Sequence, residues 1–166
     1  MKLFTVFMIM IVNFFIQSTW LQHFRLLDIM PNTTLIIVVI FSILWGKKKG
    51  ATIGFISGIL QDILLGTMIG ANALAYMLVG YNIGIFEKNI YKDNHITPVL
   101  FTIVGTISYH LLYYVIMYLT RHTFDFIFIF RKVVLIEIIY NSILSIFIYR
   151  WIYKITKYPY MKAKIR

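Results

Sequence analysis

Residues 46–84 read GKKKGATIGFISGILQDILLGTMIGANALAYMLVGYNIG, and eight of the chain's nine glycines lie among them. Gly46, Gly50, Gly54 and Gly58 recur every four residues, with Asp62 at the next step. Each step of four advances ~40° around a helix, so Gly50, Gly54 and Gly58 share one face and Asp62 stands at its edge. Small residues at this spacing let a second helix approach backbone to backbone inside a bilayer. A carboxyl beside such a seam is costly against lipid and should face protein or a water-filled cavity. The expected seam takes in Gly50, Gly54, Gly58, Gly66, Gly70 and Gly80, with Asp62 buried beside it. Leucine at Gly54 or Gly58 should force the helices apart, and alanine should be milder.

The rest of the composition supplies the bilayer. Of 166 residues, 60% are hydrophobic and only 13% charged, with a mean hydropathy of +0.82. A soluble domain of this size would have too little polar surface to cover such a core, so the chain reads as an all-α integral membrane protein. No Pro/Gly/Ser linker divides it, which makes residues 1–166 one domain. Without cysteine, disulfides and thiolate metal sites are excluded. The net charge of +10 suits cytoplasmic loops and lipid headgroups better than nucleic acid in such a composition.

Six apolar segments follow in order, at about residues 3–21, 31–45, 50–65, 71–86, 98–119 and 133–151, with a basic tail over 152–166. The first follows Lys2 like a signal sequence, but no Ala-x-Ala-like site follows it, and it reads as a retained helix. Asn13 and Gln17 share a face of it and should hydrogen-bond to other helices. Pro31 suits the first turn of the second helix. The third, at 16 residues, would span ~24 Å, short of the ~30 Å hydrocarbon core. It should therefore be sunken, tilted or shielded. Residues 121–132 place Phe124, Phe126, Phe128 and Phe130 at alternate positions, which fits an extended or interfacial segment.

An even number of spans puts both termini on one side, and the charges say which. With the termini cytoplasmic, Lys2, the three lysines after Gly46, Lys88, Lys92 and the six basic residues from Arg150 onward are inside, 12 of 16. Only Arg25, Arg121, Arg131 and Lys132 are outside. Basic residues concentrate in cytoplasmic loops, so six spans with cytoplasmic termini is the expected topology.

Catalytic chemistry is sparse. His23, His95, His110 and His122 are scattered, and a metal site needs several ligands held close. Asp62 and Glu137 are the only carboxylates within spans, and neither sits in an aspartyl-hydrolase motif. Ser108 and His110, two apart on a helix, point to different faces. No Walker or dinucleotide loop occurs. The chain reads as a non-enzyme without cofactor or metal. Its buried polar residues, Asp62, Asn72, His110, Glu137 and Asn141, read mainly as packing contacts.

A central GFxxGxxxD element in a six-segment chain of this length resembles MreD, the integral membrane component of the bacterial rod-shape machinery. The element runs from Gly54 and Phe55 through Gly58 to Asp62, followed by Gly66, Gly70, Tyr76 and Gly80. Similar hydropathy covers nearly the whole chain, and the specific motif covers about residues 50–84. The resemblance implies a scaffold in the plasma (inner) membrane that coordinates peptidoglycan synthesis during cell elongation. Its implied partners are a single-span MreC-like protein and, indirectly, an MreB-like filament and a RodA-type glycosyltransferase with its transpeptidase. Phe124, Phe126, Phe128, Phe130 and Arg131 would then form a partner interface on the outer face, or else an interfacial anchor. The fold is also similar to the substrate-binding components of energy-coupling-factor vitamin transporters, which supplies the alternative function. Those subunits dock through small residues, often alanines of the first helix, whereas residues 3–21 here contain neither alanine nor glycine.

Overall fold

The second apolar run is β-branched and leucine-rich with no polar face, the pattern of a helix surrounded on all sides. In the computed structural model it forms α2 (Thr33–Trp45), and every residue from Thr33 to Leu44 is buried. The structure describes residues 2–20, 23, 25, 29–65, 68–89, 92, 94, 96–120 and 133–156. Around α2 stand α1 (Lys2–Phe15, continuing as a wider turn over Ile16–Trp20), α3 (Lys47–Leu65), α4 (Ala71–Ile85), α5 (Ile96–Leu119) and α6 (Leu135–Thr156). A short 3-10 turn, Phe86–Asn89, follows α4. The described elements are all helices, and successive helices run in opposite directions.

Several boundaries differ from the sequence reading, three of them for a clear physical reason. Pro31 lies ahead of α2 rather than in its first turn, because Asn32 is the N-cap: its side chain accepts from Leu35 N–H. The third helix is not short. Gly46, at φ +81°, turns the sharp corner after α2, and the three lysines, good helix formers, make the first turn of α3. At 19 residues α3 reaches ~28 Å. Finally, α6 runs to Thr156 instead of stopping at 151, since Ile152 is buried and Tyr153 stacks on Tyr149 at 5.6 Å. The basic tail thus begins inside the helix.

The last two helices are inverted relative to a water-soluble protein. The buried face of α6 is Glu137, Asn141, Ser145, Tyr149 and Ile152, while Leu135, Ile139, Ile143, Phe147 and Trp151 are exposed. On α5, Thr102, Gly105, Thr106 and Tyr109 turn inward and Leu100, Val104, Leu111 and Val115 outward. Apolar residues every four positions on the outer face suit lipid, and the polar residues inside are spared it. Both helices are also long and apolar enough to cross a membrane.

Candidate functional site

Glycine at every fourth position leaves a groove along α3, and α4 lies in it, forming the most extensive helix pair in the bundle. A Cβ on Gly50 would sit 2.7 Å from the Gly80 carbonyl oxygen, one on Gly54 2.6 Å from the Tyr76 carbonyl carbon, and one on Gly58 2.5 Å from Ala73 N. Gly84 likewise packs against the backbone of Lys47. Positions on α4 step back as those on α3 advance, which is an antiparallel backbone contact along both helices. Gly84 belongs to this seam, although the sequence reading omitted it. Gly70 does not: a Cβ there would meet nothing within 4 Å, and its φ of +102° shows that it is needed for the turn into α4. Gly66 lies outside the described residues.

Where the seam ends, Asp62 closes it. Its Oδ2 accepts from the backbone N–H of Gly70 at 2.8 Å and of Ala73 at 3.1 Å. Its Oδ1 accepts from Asn72 N–H at 3.2 Å and from the Asn72 side chain at 2.8 Å. The first N–H groups of a helix have no partner within it, so a carboxylate from α3 caps α4 and sits favourably at its positive end. Asp62 is 1% exposed.

Asn72 extends this cap into a network. Tyr109 donates to Asn72 Oδ1 at 2.6 Å and stacks on Tyr76, ring centres 4.8 Å apart. The Tyr76 hydroxyl lies 3.0 Å from Asn32 Oδ1 and 3.1 Å from Gln61 Oε1; its single proton serves one of them at a time. The Asn32 backbone N–H donates to Asn141 Oδ1 at 2.9 Å. Asn141 Nδ2 donates to Thr106 at 3.1 Å and to Glu137 Oε1 at 3.2 Å. Glu137 Oε2 shares a 2.6 Å hydrogen bond with His110 Nε2. On the other flank Thr33 and Thr34 donate to Gln17 Oε1, and Asn13 donates to Thr34. All six helices thus contribute to one polar layer, built from the C-terminal halves of α1 and α3, the middle of α5 and the N-terminal halves of α2, α4 and α6.

A family comparison falls on this arrangement. The model of the rod shape-determining protein MreD matches residues 1–158. The chain belongs to the MreD family. Its seam, cap and polar layer are therefore those of a membrane protein with a role in rod-shape determination. The comparisons with curated proteins and with solved structures give no match.

Within this MreD-family bundle the structure brings Asp62 to Asn72, and His110 to Glu137 and Asn141. Among the described residues Asn141 reaches the first group through Asn32, Tyr76 and Tyr109, so the two carboxylates have separate partners and do not form a shared-proton dyad. The His110–Glu137 pair went unforeseen, since 27 residues and a helix change separate its members. No group of three or more His, Cys, Asp or Glu able to hold a metal occurs among the described residues. A cleft of about 10 Å³ between α1, α2 and α3 is lined by Asn13, Thr34, Ser57 and Gln61 among others, room for about one water. Phe124, Phe126, Phe128, Phe130 and Arg131 lie outside the described residues. At the opposite end, Lys92 joins three elements. Its Nζ donates to Leu44 O at 3.0 Å and pairs with Glu87 at 2.7 Å, and its carbonyl accepts from Tyr149 at 2.6 Å.

Proposed function

We propose that the protein is a non-enzymatic scaffold of the cell-elongation machinery, crossing the bacterial inner membrane six times with both termini cytoplasmic. One observation carries the reading: the polar side chains at the convergence of all six helices bond chiefly to one another. A carrier or enzyme keeps polar groups aimed at a ligand, and ligand pockets run to ~300–1,000 Å³. Here the polar layer is spent on holding helices together, and the cleft beside it is water-sized. A bundle locked in this way suits a rigid platform for other membrane proteins.

The assembly reading adds an MreC-like single-span partner, and through it the filament and the RodA-type synthase. In the proposed topology the polar layer and residues 121–132 share the extracytoplasmic end, where that partner would present its bulk. Buried aromatics often dominate interface energy, so Phe124, Phe126, Phe128 and Phe130, with Arg131, are the proposed contact. Changing Phe126 and Phe128 to Ser should reduce co-purification of the single-span partner more than it lowers abundance of this chain. Crosslinkers at residues 124–130 that capture only lipid would refute the contact. A vitamin retained through purification would overturn the scaffold reading in favour of a transporter component.

A further inference from the structure

The corner between α2 and α3 collects basic side chains at the edge of the apolar surface. Lys47, Lys48 and Lys49 are all exposed. Lys49 Nζ lies 5.5 Å from the centre of the Trp45 ring and Lys47 Nζ 5.8 Å from that of Tyr81. Because Gly84 packs on the Lys47 backbone, the 3-10 turn after α4 lies alongside, adding exposed Lys88. The acidic residue of that turn, Glu87, is already paired with Lys92. Exposed Tyr81, Ile85 and Phe86 border the corner on the α4 side.

Three successive lysines repel one another, and among the described residues no ion pair neutralises Lys47, Lys48, Lys49 or Lys88. Trp and Tyr favour the level of lipid headgroups, and exposed Leu78 and Leu74 continue the Tyr81 side of α4 toward the apolar phase. A ligand matching all of this is anionic at one end and apolar at the other. We infer that Lys47, Lys48, Lys49 and Lys88, framed by Trp45 and Tyr81, bind the headgroup phosphate of an anionic phospholipid. A soluble acidic protein would match the charge and leave the adjoining apolar surface unused. The inference rests on the membrane-spanning reading and is independent of any protein partner.

The test uses the full chain in mixed micelles, with binding of phosphatidylglycerol measured against phosphatidylcholine. A basic residue at a membrane surface is worth about fivefold in attraction to anionic lipid. The Lys47→Gln/Lys48→Gln/Lys49→Gln variant should lose at least about tenfold of the preference, and the triple Lys→Arg variant should keep it. Added salt should weaken the wild-type preference. Arg150→Gln/Lys154→Gln removes two exposed charges on α6 and should change little. Melting temperatures without lipid should shift only slightly among the variants, since the altered side chains are exposed. The inference is overturned if the triple Gln variant keeps the preference, or if the α6 control loses as much, which would mean diffuse charge. It is equally overturned if inorganic phosphate or polyglutamate displaces phosphatidylglycerol at matched ionic strength.

Discussion

Adding one methyl group at Gly54 or Gly58 tests the seam most directly. A Cβ at either position falls on main-chain atoms of α4: the Tyr76 carbonyl for Gly54, and Ala73 N and Cα for Gly58. Backbone cannot step aside by changing rotamer, so α4 has to move away as a unit. Overpacking of this kind costs ~1–3 kcal/mol, and the upper part of that range applies because no flexible atom absorbs the clash. The movement also stretches the Asp62 cap, whose acceptors are on α3 and whose donors are on α4. Alanine is therefore not the mild substitution that the sequence suggested; most of the penalty arrives with the Cβ, and leucine adds less than its size implies. For a domain of this length ~2–3 kcal/mol lowers the melting temperature by ~4–12 °C on the scaling of soluble proteins. The two sites share one interface, so their effects should not add. Once Gly54→Ala has moved the helices apart, Gly58→Ala should cost less than it does alone. Thermal unfolding in detergent measures all of this. A wild-type melting temperature for Gly54→Ala, or full additivity in the double variant, would refute the close contact.

Asp62→Asn should be intermediate, because an amide presents N–H groups to two of the four donors the carboxylate now accepts; Asp62→Leu abandons all four, and membrane accumulation should fall in that order. Each donor left unsatisfied costs ~1–3 kcal/mol, so full accumulation of Asp62→Leu would contradict the cap. For His110 and Glu137, single leucine substitutions should each lose ~1–3 kcal/mol by leaving a buried partner unmet, while the double variant recovers part of the loss; a double variant as unstable as the sum would show that the pair is not coupled. Asn32→Ala should lose ~0.5–2 kcal/mol through its cap, and combination with Tyr76→Phe should be less than additive in the same unfolding assay.

What could be read in advance depended on whether the signal was local. The α3 face of the seam was legible because a four-residue glycine spacing is a property of one helix, and Gly84 continues the step from Gly80. Gly70 was misassigned to the seam because residue identity does not separate a glycine chosen for close approach from one chosen for positive φ. That Asp62 needed partners followed from its place in an apolar run. The partners themselves are mostly backbone N–H groups, which carry no mark in the sequence. His110–Glu137 joins two successive helices and Asn32–Asn141 joins α2 to α6, and no periodicity within one helix announces either. The lysines after Gly46 suggested a loop by their charge, yet their helix propensity and the glycine corner before them carry α3 a turn further out.

These distant contacts decide how the bundle acts as a body. The seam and its cap make α3 and α4 one unit, and His110–Glu137 ties α5 to α6. Asn32, at the head of the buried central helix, bonds to both units: its side chain accepts from Tyr76 of α4, and its backbone N–H donates to Asn141 of α6. A force applied to either pair at this end is therefore passed through hydrogen bonds to the other. The large exposed apolar residues of α1, including Phe4, Phe7, Val12 and Phe15, stand apart from this joint; α1 is held chiefly to α2, through Asn13 and Gln17. Hydrogen bonding thus couples α2 through α6 at this end, and Asn13 and Gln17 join α1 to it through Thr33 and Thr34 of α2.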